Sequence, residues 1–387
     1  MKRRKAKKVL MLASVASMIG QFNLPNIKLL QELGYEVHVA CNFKKGNTCD
    51  RKTLDELQRE LEHMQVSVHP WDCPRSVYSV FSCIRAYRSI RKLMEEQHFA
   101  WMHCQSPVGG ALARLAGHKR KLPVVYTAHG FHFYQGAPLW NWLVYYPVER
   151  LLSHWTDVLV TVNKEDYRLA KRSLHARKTC YIPGIGIDAA RFLGGRRNGE
   201  REAFCRKYRI PKDAVVLLSV GELSRRKNHQ AVLDALAQIK NQNISYLICG
   251  QGKLKNRLIR QAARLGMQNR VRMLGFQKDV ERLYRNADVF VFPSIQEGLP
   301  AALMEAMAAG LACVVSDIRG NRELIDAAGG IRFAGKPMLR DALELVCADE
   351  TLRRSYGAHN RQKIKGYDWN IVAGKMRRIY MQFAGEK

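Results

Sequence analysis

Short apolar runs alternate with helix-patterned segments along this chain, and the pattern occurs twice. In the first half KKVLMLAS is followed by residues 26–33, apolar at helical spacing after Pro25 and stopping at Gly34, and then by EVHVAC. That is a β-α-β unit. VSVHP, WMHCQS and VVYTAH extend the series with helix-forming sequence between them, and DVLVTV and KTCYIPG close it. Strands that alternate with helices build a parallel sheet covered on both faces.

At RFLGGRRNGER, residues 191–201, hydrophobic periodicity gives way to glycine and charge, as expected of a linker. The grammar then restarts with AVVLLSV, ISYLICG, RVRMLGF, ADVFVFPS and LACVVSD. A length of 387 residues suits two domains rather than one core. The expected division is 1–192, 193–366, and a terminal amphipathic helix within 367–387. Each half reads as a doubly wound Rossmann-like α/β domain, the two facing across a cleft. Ligands of such sheets bind at the carboxyl ends of the strands, so the loops there are the first place to look for chemistry.

Sixty-four Lys and Arg against 34 Asp and Glu give a formal charge of +30, which points to nucleic acid, an anionic membrane surface or phosphorylated small molecules as partners. The basic residues are dispersed through an α/β enzyme pattern without a nucleic-acid motif, which argues against nucleic acid. The ten cysteines form no C-x-x-C pair and sit mostly in apolar runs, the pattern of buried free thiols in a reducing cytoplasm. The basic start followed by VLMLA resembles a secretory signal, but the following strand needs that run as its sheet neighbour. No window reaches the roughly 18 to 20 apolar residues of a membrane span, so membrane contact is expected to be peripheral.

In the second half four loops converge on one edge: GELSRRKNH, CGQGK, LGFQKD and PSIQEGLP. Lys227, with Arg225 and Arg226, places positive charge where a diphosphate could sit. Gly250 and Gly252 allow a backbone to pass close to a ligand. Gly298 and Pro300 mark a helix start, Pro300 suiting a first-turn position, and the N–H groups of that turn can receive an anion or hydroxyl. Glu297 falls just before this helix, and Glu305 about one and a half turns into it. A glutamate on a helix otherwise made of Ala, Leu and Met needs a binding partner, such as ligand hydroxyl groups.

The stretch EGLPAALMEAMAAG, preceded by ADVFVFPS and followed by VVSDIRGNREL, resembles the retaining nucleotide-sugar glycosyltransferases of family 4, which have the two-Rossmann GT-B architecture. VVYTAHGFHFY and YIPGIGID extend the resemblance to almost the whole chain, and TAHGFHFYQGAPLWNW with VGELSRRKNH is most like the branch that builds bacterial capsules and exopolysaccharides. The resemblance implies that Glu297 lies against the donor sugar and Glu305 binds the ribose. It also implies that the backbone of Gly298, Leu299, Pro300 and Ala301 holds sugar hydroxyls and phosphate, and Lys227 the diphosphate. Phe276 matches the residue whose backbone meets the base. His129 matches an active-site histidine, and Gly20 a glycine loop approaching the phosphates from the first domain. Where the family often has arginine this chain has Glu222, so Arg225 or Arg226 is expected to supply the missing phosphate contact.

By the same resemblance the first domain binds the acceptor, best matched by an undecaprenyl-diphosphate-linked saccharide, and the terminal helix crosses back to that domain. The donor is expected to be UDP-linked. The chain has no D-x-D acidic pair, so neither metal nor other cofactor is expected, and the departing diphosphate falls to Lys227, the arginines and the helix N-terminus. Aromatic residues crowd 131–146, interrupted by Gly136, Ala137 and Pro138, and basic clusters occupy 2–8, 85–92 and 118–121. Together they suggest a cytoplasmic enzyme, peripheral on the inner face of the plasma membrane. Competing readings are a nucleotide-sugar 2-epimerase of the same architecture, a catalytically dead partner subunit and a basic binding protein.

Overall fold

The computed structural model describes residues 6–76, 79–194 and 199–384. The chain divides into two compact units, one formed by Met1–Ile185 with Asn370–Lys387 and the other by Gly186–Trp369. The division thus falls before residue 192. The reason is local: Phe192, in the 3-10 turn Ala189–Phe192, is buried against Tyr284, and Ile187 N–H donates to the Tyr367 carbonyl at 3.1 Å. Residues 195–198 of the expected linker lie outside the described residues.

The first unit runs β1 (Lys8–Leu12), α1 (Ala16–Phe22), α2 (Leu24–Glu32), β2 (Glu36–Cys41), α3 (Arg51–His63), β3 (Ser67–Pro70), α4 (Val80–Gln97), β4 (Trp101–Gln105), α5 (Pro107–Arg120), β5 (Val124–Ala128), α6 (Leu139–Ser153), β6 (Val158–Thr161), α7 (Lys164–Ser173) and β7 (Lys178–Tyr181). Its seven strands pair in parallel in the order β3-β2-β1-β4-β5-β6-β7. β1, KVLML, is flanked on both sides, which explains why nearly every residue of it is buried. Asp50 and Asn163 cap α3 and α7 by accepting from Thr53 N–H and Asp166 N–H. Gly20 lies inside α1 rather than in a loop, and a Cβ there would touch Leu57 of α3 at 3.2 Å. Its lack of a side chain lets α1 pack on α3.

The second unit contains α8 (Glu200–Tyr208), β8 (Val215–Val220), α9 (His229–Leu236), β9 (Ile244–Cys249), α10 (Lys255–Arg264), β10 (Val271–Gly275), α11 (Val280–Asn286), β11 (Val289–Phe292), α12 (Ala301–Ala308), β12 (Ala312–Ser316), α13 (Arg319–Leu324), β13 (Gly330–Phe333), α14 (Lys336–Ala348) and α15 (Glu350–Ile364). Its parallel strand order, β10-β9-β8-β11-β12-β13, repeats that of the first unit. Each sheet reverses direction once, between β1 and β4 and between β8 and β11. Ligands of doubly wound sheets bind at these switch points.

The last helix, α16 (Trp369–Ala384), returns the chain to the first unit. It buries Val372, Met376, Ile379 and Tyr380, stacks Phe383 on Trp101 with centroids 4.9 Å apart, and sets the Tyr380 hydroxyl 2.9 Å from His103 Nδ1. None of the helices among the described residues is long and apolar enough to cross a membrane.

Candidate active site

At the carboxyl edge of the second sheet, the loop after β8 carries Lys227 and the loop after β11 carries Glu297. Lys227 Nζ lies 2.8 Å from Glu297 Oε1 and over the Phe292 ring at 4.5 Å, and Arg226 Nη1 donates to the same carboxylate oxygen at 2.6 Å. Burial pushes the Lys227 ammonium below its ordinary range, and the Glu297 charge opposes that shift. The two loops are also joined through backbone: Ile295 N–H donates to the Arg226 carbonyl, and Arg226 Nη1 to the Gln296 carbonyl at 3.0 Å. Arg225 is exposed, as is Glu222. Of the two candidate replacements for the missing arginine, Arg226 is the one held against Glu297.

Gly250 and Gly252 follow β9. A Cβ at Gly250 would stand 1.9 Å from the Gly221 carbonyl oxygen, and one at Gly252 would stand 2.4 Å from that of Leu223. The close approach their backbones permit is therefore first to the neighbouring loop, which Leu223 N–H locks by donating to the Gln251 carbonyl at 2.8 Å. Phe276, half-buried just past β10, lies in the loop beside them.

The segment from Glu297 to the helix is held from below. Arg319 Nε donates to the Glu297 carbonyl at 3.0 Å, and Gly320 packs so closely that a Cβ would sit 2.4 Å from the Gly298 carbonyl. Helix α12 begins at Ala301, with Pro300 as its N-cap rather than a first-turn residue, because Pro300 has extended geometry (ψ 119°) while its carbonyl already accepts from Leu303 and Met304 N–H. No side chain caps this end, and the first-turn N–H groups carry the positive end of the helix dipole. Leu299 is buried, so only its backbone faces the loop.

Glu305 follows four residues after Ala301. Its Oε2 accepts from the Tyr284 hydroxyl at 2.8 Å, and the same hydroxyl lies 3.0 Å from the Ala302 carbonyl. Burial pushes the carboxyl up to about 7, while the Tyr284 hydrogen bond and the charge of Arg191 pull the other way. Glu297 and Glu305 thus have different environments: one is neutralised by two cations, the other has a phenol.

In the first unit His129 follows β5, and its Nε2 lies 2.6 Å from Oε1 of Gln105 at the end of β4. Burial lowers the imidazole to about 4, so it is neutral near pH 7. His129 lines a small cavity with Phe22, Asn23, Asn26, Gln105 and Thr127. Gly20 is not among these residues. Phe131 and Phe133 of the aromatic segment are core, while Leu139, Trp140, Leu143 and Leu151 leave an apolar face of α6 exposed.

Arg319, Tyr284, Phe292 and Gln105 were not singled out from sequence. Arg319 stands in DIRGNREL directly after β12, where the rule about strand ends would have found it. The other three sit in ordinary strand or helix patterns. Among the described residues no group of three or more His, Cys, Asp and Glu is arranged to hold a metal ion.

Two Rossmann-like units built on parallel sheets, each with polar loops at its carboxyl strand ends, are the parts of the GT-B architecture. The chain belongs to the glycosyl transferases group 1 family: that family's model matches residues 200–363, and the glycosyl transferase 4-like domain matches residues 21–184. It is 33% identical over 387 residues to EpsD of Bacillus subtilis (strain 168), named as a glycosyltransferase, covering 97% of each chain. It is 29% identical over 255 residues to the UDP-Gal:alpha-D-GlcNAc-diphosphoundecaprenol alpha-1,3-galactosyltransferase of Escherichia coli, covering 64% of this chain and 65% of that one. Anabaena HepE, solved in complex with UDP and glucose, shares the fold with a TM-score of 0.76 at 16% identity, over 97% of this chain and all of that one. The protein is a glycosyltransferase.

Proposed function

We propose that this glycosyltransferase transfers a hexose or N-acetylhexosamine from a UDP-sugar to an undecaprenyl-diphosphate-linked saccharide, with retention of anomeric configuration and without a metal ion. The product would be a lipid-linked intermediate of a capsule or exopolysaccharide. The similarity to an enzyme whose name prints both UDP-Gal and a diphosphoundecaprenol acceptor supports the two substrate classes. The observation that carries the reading is the cluster of Lys227, Arg226 and Glu297 at the edge of the second sheet, next to the uncapped start of α12.

Lys227 and the amides of the first turn of α12 receive the diphosphate in this reading, with Arg226 swinging from Glu297 to a phosphate oxygen. Glu305, further along α12, accepts from the ribose hydroxyls, and Phe276 offers backbone to the base. The loops carrying Gly250 and Gly252 shape the floor. Glu297, whose charge is engaged by two cations, is a poor nucleophile and instead positions the donor sugar. Reaction then proceeds on one face. The bond from C1 to the phosphate oxygen breaks, that from C1 to the acceptor oxygen forms, and the acceptor proton passes to the departing phosphate. Charge on that phosphate is stabilised by Lys227 and the helix start, the role a metal fills in other designs. The family resemblance assigns His129, on the first unit, to the donor sugar.

The acceptor's lipid places the enzyme on the inner face of the plasma membrane. The exposed apolar face of α6, with Phe81 and Ile84 at the start of α4, supports this, as do basic residues on α4 and at the end of α5. Part of that charge is engaged internally, since Arg91 and Arg120 both pair with Glu95. The basic cluster 2–8 lies largely outside the described residues.

The test is to incubate purified protein with radiolabelled UDP-sugars and undecaprenyl-diphosphate-linked saccharide, following label into the lipid fraction with and without EDTA. Label should enter the lipid equally in both. Conversion of the UDP-sugar to its epimer without transfer, or transfer abolished by EDTA and restored by a divalent ion, would contradict the proposal.

A further inference from the structure

The polar groups behind His129 form a chain whose donors and acceptors can be assigned one after another. Asn23, at the junction of α1 and α2, directs Nδ2 at the Met18 carbonyl at 3.1 Å. A carbonyl only accepts, so this fixes the Asn23 amide, and its Oδ1 must face the other way. There it accepts from Asn26 Nδ2 at 3.3 Å and from Gln105 Nε2. Gln105 is therefore fixed as well, and its Oε1 faces His129 Nε2 at 2.6 Å. An amide oxygen has no proton to give. The hydrogen of that contact belongs to the imidazole, and in the neutral ring the lone pair is on Nδ1.

Asn23 and Gln105 are both buried, and the Phe22 ring lies 5.7 Å from the imidazole, so the ring has little freedom to turn over. His129 Nδ1 has no hydrogen-bond partner among the described residues, and the ring lines the cavity beside Asn26 and Thr127. Resting on the placement of His129 at the donor sugar, we propose that Gln105, itself fixed by Asn23, is a positioning residue that holds His129 in its Nε2–H tautomer, leaving Nδ1 as an obligatory acceptor for a sugar hydroxyl. The histidine then selects a hydroxyl donor and cannot donate to a phosphate or a carbonyl. The bond from Asn23 ties this choice to the α1–α2 junction, so a sequence segment that carries no reactive group helps set the polarity of the site.

Nitrogen-detected two-bond correlation spectra of protein labelled with 15N-histidine read the tautomer without any assay of activity. Wild-type His129 should show a protonated Nε2 and a bare Nδ1 from about pH 6 to 8. Gln105→Leu should give a mixture with a visible Nδ1–H population, and a kcat roughly tenfold lower with little change in donor KM. Gln105→Glu should keep the Nε2–H tautomer and move the His129 titration midpoint upward, because a carboxylate favours the imidazolium. An Nδ1–H tautomer in the wild type, or a Gln105→Leu spectrum unchanged from it, would overturn the proposal. If Gln105→Leu does not fold by circular dichroism, the wild-type and Gln105→Glu spectra still decide the matter. Full transfer activity in His129→Ala would remove the imidazole from the reaction while the tautomer measurement stood, which separates failure of this proposal from failure of the placement it rests on.

Discussion

Tyr284 and Glu305 meet between α11 and α12, and among the described residues the phenol is the hydrogen-bond donor to the glutamate. With burial holding that carboxyl up near 7 against an ordinary value of 4.5, the folded state binds the proton more tightly than the unfolded chain. The resulting stabilisation is fully present below about pH 4.5 and is lost as pH rises through about 7. Glu305→Gln should lack it: wild type should lose roughly 3 kcal/mol relative to the variant across that window, measured by urea unfolding at each pH. Ligand binding should follow the opposite course, because ribose hydroxyls donate best to the ionised carboxylate. Donor KM should fall as pH rises through about 7, and Tyr284→Phe should shift that midpoint upward by removing a bond that favours ionisation. A donor KM flat from pH 6 to 8 would contradict the ribose role. Glu305 was legible in sequence as an acid in an apolar helix. Tyr284 was not, because RLYRN reads as any amphipathic turn, and the pairing is set by how α11 and α12 pack.

Between helices α5 and α6 a different pairing holds. Arg114 is fully buried, makes a two-pronged contact with Glu149 at 2.6 and 3.0 Å, and stacks its guanidinium 3.9 Å over Tyr126 of β5. Replacing Glu149 by Ala leaves a buried charge without its partner and should cost ~3–5 kcal/mol in denaturant unfolding. The double variant Arg114→Met/Glu149→Leu should recover most of that loss, since two apolar groups need no charge compensation. A double variant no more stable than Glu149→Ala would show that packing on Tyr126, not charge, is what Arg114 contributes. Elements of this kind show what sequence could and could not convey. Inner strands such as β1, β5, β9 and β12 announced themselves as apolar runs because both faces of a parallel sheet are buried. β13 did not: GIRF is short, begins with glycine, and its Arg332 is half-exposed at the sheet's edge. Gly20 misled in the opposite way, its smallness serving helix packing where a loop was expected. The start of α12 was placed to within one residue.

Across the whole chain, the +30 charge and the repeated alternation of strand and helix were visible from the start, whereas the membership of α16 in the first unit came only through its resemblance to a family. The reason is that amphipathic spacing says a helix has a buried face without saying what covers it; Trp101 and His103, more than 260 positions away, do so here. Charge is similarly silent about its partner, and the exposed apolar face of α6 supplies the second constraint. If both contribute to membrane contact, binding should have two components that salt separates. Long-range attraction of a +30 protein to phosphatidylglycerol vesicles is screened over about 8 Å at physiological ionic strength, whereas burial of apolar side chains is not. Sedimentation with mixed phosphatidylglycerol and phosphatidylcholine vesicles should fall steeply with added salt to a residual level. Trp140→Ala/Leu143→Ala should lower that residue several-fold while leaving the salt slope unchanged, because neither side chain is charged. Equal sedimentation with anionic and neutral vesicles would exclude the electrostatic component, and a residue unaffected by the double substitution would exclude α6. Both side chains are exposed and belong to the first unit, whereas Lys227 and Glu305 belong to the second, so UDP affinity should stay at the wild-type value and serve as the control for folding.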